Sequence, residues 1–173
     1  MDCSILPVES IDVAAIATLH AESWRTAYRG LVPDGFLDGP VVEDRMHLWR
    51  KRLNGPASNR QLVLKAVLEG ELIGFVCVLL DVDPAYGPRL DNLHVKPALK
   101  GTGIGSRLFR AAHEWVGRAA PGQPMHLWVI EGNWPARRFY DLQGGVVAER
   151  RTLELVPGIR VPELRYVWPP ASE

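Results

Sequence analysis

The stretch LDNLHVKPALKGTGIGSRLFRAAHEWV, Leu90 to Val116, decides how the rest of the chain is read. Leu90 to Val95 alternates in polarity and is bounded by prolines 88 and 97, which predicts a strand. Ile104, Leu108, Ala111, Trp115 and Val116 recur at helical spacing, which predicts an amphipathic helix. Between the two stand Lys100 and glycines 101, 103 and 105. Alternate glycines let the backbone turn its N–H groups into one concave nest, and a helix starting behind Gly103 adds the positive end of its dipole. A phosphate-bearing ligand is the physical expectation, with Lys100 and Arg107 adding charge at the rim. Three alternate glycines ahead of a helix are more than a tight connection needs.

Three phosphate motifs compete for KGTGIG. A P-loop requires Gly-Lys-Ser/Thr, which does not occur in the chain. A dinucleotide fingerprint requires GxGxxG directly after a strand; here Ser106 stands where the third glycine belongs and the strand ends early, at Val95. Glu131 as a ribose-binding acid keeps that alternative, a dinucleotide-dependent oxidoreductase, in play. The third candidate needs the surrounding elements.

Upstream, Ser10 reads as the N-cap of a helix with Ile11, Ala15 and Leu19 on one face, running toward Trp24 and Tyr28 and ended by Gly30 and Pro33. A second helix is predicted over Glu43 to Leu53, closed by Asn54, Gly55 and Pro56. Gln61 to Leu68 and Leu72 to Leu80 read as a hairpin about Glu69-Gly70-Glu71. Downstream come a strand over Met125 to Ile130, a short helix over Trp134 to Leu142 with Gly144 and Gly145 behind it, and strands over Val146 to Val156 and Val161 to Trp168. The order is α+β, without strict βαβ repetition.

The 173 residues are enough for a real core and short enough for one domain, 1–173. Lys plus Arg and Asp plus Glu each number 20, so no broad electrostatic pull toward nucleic acid is expected. Apolar runs fall short of the about 18 residues a membrane span requires, and a membrane partner is not expected. Cys3 and Cys77 stand apart, with no CxxC and no leader in the first 30 residues, so a reducing cytoplasm is the expected location. Histidines 20, 47, 94, 113 and 126 show no ligand spacing, and no metal is expected.

KGTGIG resembles the Q/R-x-x-G-x-G/A signature of the GNAT (GCN5-related) N-acetyltransferases. LDNLHVKPALKGTGIGSRLFRAA is similar to that family's strand, pyrophosphate loop and helix, and EGNWPARRFYDLQGG to its N-x-x-A-x-x-F-Y segment with a glycine stop. SWRTAYRGLVPDGFL is similar to the helix and substrate-side loop of many members, so the likeness covers roughly residues 4 to 168. Two departures stand out. Lys100 replaces the usual glutamine or arginine, losing the planar fork, and His94 occupies a place where aromatic or aliphatic residues are commoner.

The resemblance implies a mostly antiparallel sheet of six or seven strands with about four helices, and a splayed strand pair holding the cofactor, acetyl-CoA. It implies that backbone N–H groups of Gly101, Thr102, Gly103, Ile104, Gly105 and Ser106, with Lys100, hold the pyrophosphate. The main chain of Leu93, His94 and Val95 would meet the pantetheine arm as an added strand, and the Val95 N–H would polarise the thioester carbonyl. Asn133, Ala136 and Tyr140 share one helix face by their spacing. Tyr140, by resemblance, is the general acid for the departing thiolate; Phe139 reads as core. Expected activity is N-acetyl transfer to a small-molecule or peptide primary amine by direct attack in a ternary complex, by a monomer or homodimer. A non-catalytic acyl-CoA sensor is the alternative.

The group that deprotonates the amine stays open among Asp91, His94, Glu22, Glu131 and a water chain, with Asp91 and His94 on opposite strand faces by their spacing. Cys77, in an apolar strand, reads as core rather than as an acyl-carrying nucleophile. The resemblance further implies that residues 28 to 40 and the last two strands, with Glu149, Arg150 and Arg151, line the acceptor side. Asp34, Asp38, Glu43 and Asp44 read as favouring a cationic amine, with a solvated acidic helix start as an equal account of Glu43 and Asp44.

Overall fold

The computed structural model describes residues 3–55 and 60–170. In chain order the elements are β1 (Ser4–Pro7), α1 (Val13–Ala27), α2 (Asp34–Leu37), α3 (Val41–Asn54), β2 (Gln61–Leu68), β3 (Glu71–Leu79), β4 (Arg89–Val95), α4 (Ile104–Ala119), β5 (Met125–Ile130), α5 (Trp134–Leu142), β6 (Val146–Val156) and β7 (Ile159–Trp168). The seven strands form one sheet in the order β1-β2-β3-β4-β5-β7-β6, antiparallel except between β4 and β5. A doubly wound dinucleotide fold needs a mostly parallel sheet, so the topology disfavours the oxidoreductase reading.

Both sheet faces are covered. Ile104, Leu108, Ala112 and Val116 of α4 pack against Val76, Val78, Leu90 and Leu127, a stripe worth roughly 1.5–3 kcal/mol for each fully buried large side chain. On the other face Ile16 and Ala17 of α1 and Trp49 of α3 pack against Phe75 and Cys77 of β3. Arg107 of α4 reaches β1, donating through Nη2 to the Cys3 carbonyl at 2.8 Å. The rim charge expected of Arg107 is therefore committed to fastening the N-terminal strand.

Several expectations change. Residues 10–12 form a single 3-10 turn before α1, in which the Glu9 N–H donates to Asp12 Oδ2 at 2.8 Å, and Ser10 makes no side-chain cap. That tighter turn shifts the helical phase. Ile11 is 84% exposed and Ala15 is exposed, so the buried face carries Val13, Ile16, Ala17 and His20, with only Leu19 of the predicted set among the buried residues. α3 starts two residues before the predicted Glu43, and Pro56 of its predicted stop lies outside the described residues. β1 and α2, which are four residues each, lack the length for a periodic signal. The hairpin turn is Glu69-Gly70, both at positive φ, and Glu71 already pairs with Leu68 in the ladder.

Two irregularities in β4 position the site. β3 and β4 pair from Gly74↔Val95 to Cys77↔Asn92 and resume at Val78↔Leu90, which leaves Asp91 as an extra residue on β4. One inserted residue reverses side-chain parity. Asp91 accordingly meets Arg52 of α3, and the His94 ring lies 4.6 Å from that of His20 on α1, so both face the same layer despite their spacing. The second irregularity is that β4 and β5 share a single register pair, Arg89↔His126, after which they part.

Candidate active site

The gap between β4 and β5 opens into a cavity of about 530 Å³, closed by the α4 N-terminus, by α5 and by the end of α1. Lys96 N–H donates to Ile73 O of β3 at 2.8 Å. Successive N–H groups of a strand point to opposite edges, so Val95 N–H and Leu93 N–H point away from β3 and into the gap. Their hydrogen-bonding edge is free to receive an extended ligand in place of a strand.

At the bottom of the gap Gly103 forms the N-cap of α4 at φ 87° and ψ −8°. A left-handed residue there turns the chain so that the first N–H groups of a 16-residue helix, from Ile104, Gly105 and Ser106, lack intrahelical partners. Gly101 is also left-handed, at φ 80°. Backbone donors and helix dipole together make an electropositive floor, with Lys100 on its wall.

Of the residues singled out from sequence, Leu93, His94, Val95, Lys100, Gly101 and Gly103 line this cavity, as do Gly105, Ser106, Asn133, Ala136 and Tyr140. Thr102 and Ile104 do not line it. Thr102 Oγ1 donates to Leu99 O at 2.7 Å, and Ile104 turns its side chain into the core at 1% exposure. Asn133 caps α5, its Oδ1 accepting from Ala136 N at 3.3 Å. Phe139, read as core, does both jobs: it packs against Phe109 and lines the cavity.

Tyr140 is buried against Tyr166 and Trp168, with ring centroids 5.9 Å away in each case. Burial, then the neighbouring Tyr28 phenol, holds its hydroxyl pKa well above the usual tyrosine value. Burial and Glu163 push Tyr28 up to about 12. Both phenols thus remain protonated donors at physiological pH. Burial, followed by Lys100 and Arg45, drives His94 down to about 3 against the weaker opposing pull of Asp91, so its imidazole is neutral.

The other base candidates are occupied or distant. Asp91 is paired with Arg52 and, at 2.9 Å, with Arg89. Glu131 is paired with Arg150 at 2.8 Å, and Glu22 is exposed; neither lines the cavity. Cys77 is fully buried and its thiol is pushed up to about 12 by that burial, which agrees with a core role. Among the described residues no group of three or more metal-ligating side chains converges.

Sequence reading did not single out Ser23, Asn92 and Trp128, which also line the cavity. Ser23, on α1, opens the stretch SWRTAYRGLVPDGFL, whose likeness pointed to a helix and loop without marking that residue; Asn92 faces the cavity because of the bulge. On the expected acceptor side, Tyr28 alone of residues 28 to 40 reaches the cavity wall, and Glu149, Arg150 and Arg151 stop short of it. Arg151 instead stacks on Trp128 at 3.8 Å and pairs with Glu163 at 2.9 Å. Three of the four acids expected to attract a cation are paired, Asp34 and Asp38 with Arg29 at 2.9 and 2.7 Å and Asp44 with Arg45; Glu43 is exposed in the first turn of α3, and none of the four lines the cavity. A shallow groove of about 630 Å³ between Ser10 and Asn54 is open to solvent and shows no comparable convergence of polar groups.

Comparison with known proteins gives a consistent answer. Residues 16–144 match the model of the acetyltransferase (GNAT) family. A Bacillus subtilis protein named as an uncharacterized N-acetyltransferase is 24% identical over 163 residues, covering 93% of this chain and 90% of its own. Among solved structures, the PaiA N-acetyltransferase of Thermoplasma acidophilum in complex with coenzyme A superposes with a TM-score of 0.77 at 20% identity, covering 97% of this chain and all of that one. Arabidopsis thaliana NAA60 in complex with a bisubstrate analogue gives 0.71 at 18% identity, covering 96% and 98%. At these identities the structural likeness speaks to the fold.

Proposed function

Because the chain belongs to the acetyltransferase (GNAT) family, we propose that it transfers an acetyl group from acetyl-CoA to a primary amine by direct attack in a ternary complex. The observation that carries this is the parting of β4 from β5 after Arg89↔His126, which leaves the Leu93 and Val95 N–H edge facing a cavity floored by the α4 N-terminus. The residues fit such a cofactor: the floor suits a pyrophosphate, the free strand edge suits amide groups of an extended arm, and Ala136 leaves room on the α5 wall. When bound, acetyl-CoA supplies an activated acetyl thioester.

The chain's own residues then have distinct tasks. Gly101, Gly103, Gly105 and Ser106 hold the anionic end through backbone donors, with Lys100 adding charge. Val95 N–H donates to the carbonyl oxygen as it gains charge, a contribution of the oxyanion-hole type. Tyr140, kept protonated by its buried setting, holds a proton for the departing sulfur. Cys3 and Cys77, two separate buried thiols, support a reducing, cytoplasmic location. One catalytic domain spanning 1–173 accounts for these elements.

Calorimetric titration with acetyl-CoA, with NAD as the control, tests the cofactor. Thiol release by Tyr140→Phe tests the acid: a fall of about 10²- to 10⁴-fold with acetyl-CoA affinity retained is expected. Binding of NAD in place of acetyl-CoA would overturn the reading, unchanged thiol release by the Tyr140 variant would overturn the general-acid assignment, and acetyl-CoA binding by wild-type protein with no thiol release would leave a binding module rather than a catalyst.

A further inference from the structure

On the α1/α3 side of the cavity two buried polar atoms have no hydrogen-bond partner in the protein: Ser23 Oγ, on a residue 2% exposed, and Asn92 Oδ1, on a residue 9% exposed. Both residues line the cavity. The Asn92 amide is oriented by its nitrogen, which donates to Asp91 O and, at 3.0 Å, to Asp91 Oδ2. With Nδ2 so committed, Oδ1 is left over as an acceptor. An orphaned buried acceptor is costly unless a ligand satisfies it.

The charge around these atoms is equally specific. Asp91 is the single carboxylate lining the cavity among the described residues, and it already answers two arginines, Arg52 and Arg89. Arg45 lies over the Trp24 ring at 4.3 Å, and burial first, then Lys100 and Arg45, lower the pKa of His94. Cations that disfavour an imidazolium here disfavour an alkylammonium for the same reason. A charged amine entering this pocket would be desolvated with no free counter-charge, and no free carboxylate stands ready to take its proton.

Resting on the acetyltransferase reading, we propose that the acceptor is an amine already uncharged at neutral pH, of the arylamine, hydrazide or alkoxyamine class, hydrogen-bonded by Asn92 Oδ1 and Ser23 Oγ. Such a nucleophile arrives with its lone pair free and needs no strong base. Its nitrogen forms the new C–N bond to the acetyl carbon, and the C–S bond breaks with its electron pair going to sulfur. One N–H proton leaves the nitrogen once it carries positive charge and is acidic. Sulfur takes a proton from Tyr140, which the released proton restores through solvent. The products are the amide and the free thiol.

The test is thiol release at pH 7 from acetyl-CoA with acetohydrazide, aniline and O-benzylhydroxylamine against benzylamine and spermidine. It is paired with calorimetry of the same probes on protein loaded with CoA. At least tenfold higher kcat/KM is expected for one of the uncharged probes. Asn92→Leu should lower that value about tenfold and Ser23→Ala about threefold, the size of one lost hydrogen bond, chiefly through weaker probe binding. Unchanged acetyl-CoA affinity in each variant shows that it is folded. Preference for benzylamine or spermidine overturns the proposal, as does thiol release from none of the probes, or indifference of both variants. Failure of wild-type protein to bind acetyl-CoA would instead overturn the acetyltransferase reading itself.

Discussion

Replacing Gly103 separates the backbone demand of the α4 N-cap from its charge. At φ 87° any L side chain costs about 1–2 kcal/mol of backbone strain, and a Cβ there meets nothing within 4 Å, so Gly103→Ala and Gly103→Asp share that cost. They differ in one negative charge at the helix N-terminus. A carboxylate about 5 Å from a phosphate repels it by about 3 kcal/mol per unit charge at an effective dielectric of 20, reduced somewhat by salt. The expected net penalty on acetyl-CoA binding is therefore about 2–4 kcal/mol, a 30- to 1,000-fold weaker Kd for Asp than for Ala. The same charge favours the helix dipole, so the Asp variant should melt no lower than the Ala variant. Calorimetric titration of both variants beside thermal melts reads both quantities. Equal acetyl-CoA affinity in Ala and Asp variants would refute the assignment of this nest to the pyrophosphate.

Three further outcomes follow from the packing. His94 is held near 3 in the folded state, below its ordinary value of 6.5; the unfolded chain binds a proton that the folded one refuses, so stability is full above about 6.5 and falls as pH drops toward 3, with a slope up to about 1.4 kcal/mol per pH unit from this group. His126, lowered to about 4 chiefly by burial, acts in the same direction. Urea midpoints at pH 7 and 5 should separate in wild type and converge partly in His94→Phe; an unchanged separation contradicts the assignment. Trp49 is fully buried and its Nε1 donates to His20 Nδ1 at 3.0 Å, so Trp49→Phe should cost about 2–4 kcal/mol in chemical denaturation through lost volume and an unsatisfied ring nitrogen. Arg107→Met should cost about 1–3 kcal/mol and raise proteolysis near β1, because the Arg107 guanidinium holds the Cys3 carbonyl; wild-type resistance would show that β1 is fastened without it.

The glycine nest, the strand before it and the amphipathic helix behind it were legible because each is a local signal: left-handed backbone selects glycine, and burial of one helix stripe selects a period near 3.6. Tyr140 and Asn133 were legible for the same reason, through spacing on a single short helix. β1 and α2 were too short to carry a period, and the face of α1 was misplaced because a preceding 3-10 turn shifts its phase.

What the sequence by itself determined is therefore the chain of local elements and the floor of the cavity, since these depend on residues within a few positions of one another. Tertiary structure alone decided the wall of the cavity on its α1 side. The extra residue at Asp91 turns Asn92 and His94 toward α1, Arg29 cancels Asp34 and Asp38, and arginines 52 and 89 occupy Asp91. Those partners are brought together by strand register and helix packing across long stretches of chain, and charge is cancelled by whatever lies nearest in space rather than in sequence.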